Sequence, residues 1–138
     1  MPRKLYYGRE IPMRVIRRYA RQIAEMFHPE KIILFGSRAY GTPHEDSDVD
    51  IMVIMPARNE LDQALKIRLA IDPPFSVDLL VRKPSELKWR LEEGELFSTE
   101  VIGKGKVLYE AVDPDVGSKG RSRLPAGIEN RRRPPALA

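Results

Sequence analysis

Residues 31–50 read Lys31-Ile-Ile-Leu-Phe35-Gly36-Ser37-Arg38-Ala39-Tyr40-Gly41-Thr42-Pro43-His44-Glu45-Asp46-Ser47-Asp48-Val49-Asp50, and the fold turns on this stretch. Lys31 to Phe35 is a compact β-branched and aromatic run that stops at a glycine, the pattern of a buried strand. Residues 37–47 are rich in turn formers, among them Gly41, Thr42, Pro43, Asp46 and Ser47. A short helix starting at Ser37 would complete a strand–turn–helix unit. Asp48 to Met55 reads as a second strand.

Working outward, Pro12 to Phe27 sets Ile16, Tyr19, Ala20, Ile23 and Phe27 at helical spacing, with proline near the start and Pro29 past the end. Arg14, Arg17, Arg18 and Arg21 give this helix a basic, solvated face, and His28 sits where a helix C-terminus favours positive charge. Asn59 to Ile71 reads as a helix from Leu61, Leu65 and Leu69, with Asn59 as its cap. Ser76 to Val81 is a third strand. Pro84 opens another helix, with Ser85 as cap candidate and with Leu87, Leu91 and Trp89 as packing residues. A short helix over 95–102 and a last strand over 106–109 follow. Strands alternating with helices indicate an α/β (α+β) domain whose small sheet is mixed rather than wholly parallel.

The 138 residues suit one domain, and 42% hydrophobic content suits one core. No run approaches the roughly 20 apolar residues that cross a bilayer, and no apolar signal core follows the start. With no cysteine, disulfides, zinc-thiolate sites and cysteine nucleophiles are excluded. A cytoplasmic location is expected. Net charge is +4, but residues 113–138 hold six basic and three acidic side chains, which leaves 18 basic and 17 acidic in 1–112. Nucleic-acid binding is therefore not expected of the folded part, 1–112. The Pro-, Gly-, Ser- and Arg-rich stretch 113–138 reads as a basic, disordered tail with a solvated Arg131-Arg132-Arg133.

Strand periodicity gives the carboxylates a shared geometry. Residues two apart on a strand point to one face, so Asp48 and Asp50 project together while Val49, Ile51 and Val53 face the core. On the third strand Val77, Leu79 and Val81 share a face and Asp78 stands on the other. A charge in an apolar strand is costly unless paired, metal-bound or at an edge. If the two strands are neighbours, three carboxylates converge, and hard oxygen ligands of this kind suit Mg²⁺. Gly36 lets the backbone turn sharply, and a helix beginning at Ser37 would aim N–H groups and the serine hydroxyl at an anion. Arg38 and His44 lie in the same loop; the histidine is read as a plain loop residue.

Gly36-Ser37, ten residues, then Asp48-Val49-Asp50 resembles the nucleotidyltransferase superfamily related to DNA polymerase beta. It is most similar to the minimal nucleotidyltransferases, which include antitoxins that pair with HEPN-domain toxins. The resemblance covers roughly residues 12–110. It implies that Asp48, Asp50 and Asp78 are the catalytic metal ligands, with Asp78 as general base or bridging ligand. It implies that Gly36 and Ser37 bind a triphosphate, joined by Arg38, and that two Mg²⁺ ions and ATP take part. Where many members carry a second arginine, this chain has Tyr40. The function implied is NMP transfer, AMP from ATP, to a hydroxyl acceptor. With so short a chain, the acceptor is expected on a partner or second subunit, and the resemblance points to a tyrosine of a HEPN-type toxin. A non-catalytic binding antitoxin and an aminoglycoside-type adenylyltransferase are the alternatives. A homo-oligomer stays open.

Overall fold

A computed structural model describes residue 6 and residues 11–43 and 47–112 of the chain. His44 and the stretch 113–138 lie outside the described residues. In chain order the elements are α1 (Met13–Phe27), β1 (Lys31–Phe35), α2 (Ser37–Tyr40), β2 (Val49–Ile54), α3 (Glu60–Ala70), β3 (Val77–Arg82), α4 (Pro84–Glu92), α5 (Leu96–Lys104) and β4 (Lys106–Glu110). Both elements expected near the C-terminal end of the folded part, α5 and β4, are present.

Four strands form one mixed sheet in the order β3-β2-β1-β4. β1 pairs antiparallel with β2 and with β4, while β2 and β3 run parallel. Parallel neighbours need a crossover connection, and α3 supplies it. Asn59 caps α3: its side chain accepts a bond from the Asp62 N–H at 3.0 Å. α1 closes at His28, whose backbone is left-handed (φ 51°) and whose N–H donates to Ala24 O at 3.0 Å.

Each face of the sheet has its own core. On one, Val49, Ile51 and Val53 of β2 and Val77, Leu79 and Val81 of β3 pack with Ile16, Tyr19 and Ile23 of α1 and Ala64 and Ile67 of α3. On the other, Ile33, Phe35, Met52 and Ile54 pack with Leu87 of α4 and Val101 of α5. β2 is thus covered on both sides, as a central strand should be.

Three side-chain expectations need correction. Leu61, Leu65 and Leu69 do not face the core; α3 buries Ala64 and Ile67 instead, a stripe that also has helical spacing and whose small alanine lets the helix close on the sheet. Trp89 is 55% exposed rather than packed, because α4 turns Leu87 inward. Ser85 does not cap α4. Lys83 holds that position without a side-chain cap bond, and its N–H donates to Glu60 Oε2 at 2.9 Å, tying the starts of α3 and α4 together.

Candidate active site

The site forms where β1 ends and β2 and β3 begin. Gly36 sits there with φ +77°, a conformation that favours glycine. A Cβ at this position would collide with Oδ2 of Asp50. Glycine is therefore required twice, for the turn and for the carboxylate lying against it. Directly afterwards α2 makes a single turn, closed by the Ala39 and Tyr40 N–H groups donating to Gly36 O, both at 3.0 Å.

The pairing registers bring the aspartates together. Asp50 lies opposite Asp78 across the parallel β2–β3 pair and opposite Phe35 across β1–β2. Asp48 stands two residues before Asp50, just ahead of the strand. Its Oδ1 accepts a bond from Ser76 Oγ at 2.7 Å. Asp48 and Asp78 are exposed and Asp50 is half-buried. Burial, followed by the charges of Asp78 and Asp48, pushes the Asp50 carboxyl up from its ordinary value to about 6, against the opposing pull of Arg38.

Among the described residues, Arg38 supplies positive charge that acts on Asp50. Its Nη2 donates to Ser47 O at 2.8 Å, bridging the two ends of the loop that leads into β2. Burial lowers its pKa, and the neighbouring Asp48 and Asp50 counteract that. α5 flanks the site. Phe97 meets Phe35 edge-on with ring centroids 5.4 Å apart, and Tyr40 OH lies 3.5 Å from Glu100 Oε1.

All six residues expected at the site, Gly36, Ser37, Arg38, Asp48, Asp50 and Asp78, lie at this one end of the sheet. Three partners escaped the sequence reading. Ser76 was within reach of it, since it stands two residues before Asp78 at the mouth of β3. Phe97 and Glu100 come from α5, whose docking no local pattern announces. A divalent cation fits the donor set. The carboxylates offer hard oxygen ligands, and Asp50, raised first by burial and then by the charges of Asp78 and Asp48, would be favoured in its ionised form by such an ion. Among the described residues no three acidic or histidine side chains are already drawn into a metal cage, and Asp48 is held by Ser76.

A sequence model of the nucleotidyltransferase domain matches residues 16–102, most of the folded part and every residue of this site. No curated protein matches. Among solved structures, a candidate nucleotidyltransferase from Sulfolobus solfataricus is 25% identical with a TM-score of 0.46, over 56% of this chain and 71% of its own. A mutant of the toxin–antitoxin MntA–HpeT is 23% identical with a TM-score of 0.45, over 73% of this chain and 75% of its own. The glycine-hinged turn at the strand end, the paired aspartates that follow it, and a family match that spans them both assign the chain to the nucleotidyltransferase domain family.

Proposed function

We propose that this chain transfers a nucleoside monophosphate, AMP from ATP, to a hydroxyl group, and that the acceptor is a tyrosine on a HEPN-type partner protein. The observation that carries the transfer reading is the in-register pair Asp50 and Asp78, with Asp48 beside them and the Gly36 turn against Asp50. The partner and the antitoxin role rest on the sequence resemblance to minimal nucleotidyltransferases.

Asp48, Asp50 and Asp78 would hold Mg²⁺, two ions in this reading. When bound, the metal supplies charge neutralisation on the phosphates and a lowered pKa at the attacking hydroxyl. The chain's own groups do the rest. Asp78, solvent-facing and opposite Asp50, is placed to take the acceptor's proton as general base. In this reading the Gly36–Ser37 turn binds the triphosphate, with the Ser37 hydroxyl as a donor to it. Arg38, held by Ser47, contributes a fixed positive charge as charge builds on the transferring phosphate. The acceptor oxygen bonds to the α-phosphorus, pyrophosphate leaves, and the acceptor proton passes to Asp78.

The test is incubation of the chain with labelled ATP and Mg²⁺, with and without a HEPN-type protein encoded beside it. Label should appear on that protein and vanish in the Asp48→Ala/Asp50→Ala variant. Tight complex formation without transfer, equal in both forms, would establish a non-catalytic binding antitoxin instead.

A further inference from the structure

Helix α3 carries two apolar stripes and buries only one. Its inner stripe, Ala64 and Ile67, seals the sheet. The outer one, Leu61, Leu65 and Leu69, is 81%, 54% and 78% exposed. Single exposed leucines are ordinary, but a contiguous row marks a contact surface. Leucines four apart form the kind of ridge that interdigitates with its like in the commonest class of helix packing.

Two charges flank that ridge. Asp62 and Lys66 each follow a ridge leucine by one residue, so both lie along the same side of it. Both are exposed, and neither makes an ion pair among the described residues. The order along the helix is acid first, then base.

We propose that α3 is the contact helix of a twofold-symmetric homodimer in which the Leu61–Leu65–Leu69 ridges of two copies interlock antiparallel, with Leu65 beside the axis. Reversal brings Leu61 of one copy toward Leu69 of the other. It also sets Asp62 of one copy beside Lys66 of the other, and symmetry makes that pairing twice. The ridge is self-complementary in shape and in charge, so a second copy of this chain supplies everything it lacks. α3 covers the sheet face that holds Ile51, whereas the aspartates lie on the other, so the dimer leaves both candidate active sites open. A helix of 11 residues is about 16 Å long, too small to bury the roughly 800 Å² per partner of a standard interface. The dimer is therefore weak, with a dissociation constant on the order of tens of micromolar.

Sedimentation velocity of the full chain from about 5 to about 500 µM tests this, bracketing that constant. The mass should rise from one protomer toward two, and Leu65→Asp should shift the midpoint at least tenfold while leaving the circular dichroism unchanged. Asp62→Lys should weaken the dimer, and Asp62→Lys/Lys66→Asp should restore it. Because the chain has no cysteine, Leu65→Cys under mild oxidation should give a disulfide dimer, whereas Glu93→Cys should not. A single-protomer mass throughout overturns the proposal. So does a rise in mass that Leu65→Asp leaves unchanged, or equal cross-linking at both positions. Protection of the ridge only by an added HEPN-type protein would assign the surface to that partner and also overturn it.

Discussion

On one face of β2, Val49, Ile51 and Val53 are sealed beneath α1 and α3; on the other, Met52 and Ile54 are sealed but Asp50 is not. The backbone is the same and the residues alternate, yet the two faces answer to different demands. The first is uniformly apolar and holds the sheet to its helices. The second is apolar only where α4 and α5 cover it, and turns acidic where the Gly36 turn replaces that cover. Stability and chemistry are thus separated by one residue in sequence and by the plane of the sheet in space. Neighbouring substitutions should then act on different properties.

Asp50→Ala should produce the largest effect, a loss of nucleotidyl transfer of about a thousandfold or more, with the folded far-ultraviolet spectrum retained. Unfolding of that variant would show that Asp50 serves the fold. Next comes Ile51→Ala. It removes a side chain that is 0% exposed and should cost about 3–4 kcal/mol in urea unfolding. A third substitution has the opposite sign. Asp50→Asn removes a part-buried charge and, secondarily, its repulsion from Asp78 and Asp48, and should stabilise the metal-free protein by about 1 kcal/mol at neutral pH. Added Mg²⁺ should raise the melting temperature of the wild type and leave that of Asp50→Asn nearly unmoved. Equal metal stabilisation of both would remove Asp50 from the ligand set. Asn59→Ala deletes the α3 cap and should cost about 1 kcal/mol. Smallest of all, Leu61→Ala on the solvent side of α3 should stay within about 0.5 kcal/mol under dilute conditions.

Much of this separation was legible in the residues themselves. Alternation along 48–53 and 76–81 fixes which side chains share a face. A lone aspartate among valines and leucines costs too much to keep unless a partner, a metal or solvent meets its charge. Glycine at the end of an apolar run marks the turn. The sequence left open whether β2 and β3 are neighbours; in the structure they pair in parallel through the α3 crossover, and that brings Asp78 opposite Asp50. What could not be read is which stripe of a helix points inward. Along 61–71 both Leu61–Leu65–Leu69 and Ala64–Ile67–Ile71 have helical spacing, and the all-leucine stripe is the one left outside. Packing against the sheet decides this, through the close approach that Ala64 allows. The Trp89 orientation and the reach of Phe97 to Phe35 depend in the same way on how α4 and α5 dock, which is a tertiary matter.

The measurement that bears most directly on the central claim uses ATP labelled separately at the α- and γ-phosphates, with Mg²⁺ and the HEPN-type acceptor. The α-label should move to the acceptor, the γ-label should leave in pyrophosphate, and both events should disappear in Asp48→Ala/Asp50→Ala. Movement of the γ-label to the acceptor, or α-label transfer that survives loss of both aspartates, would contradict the account.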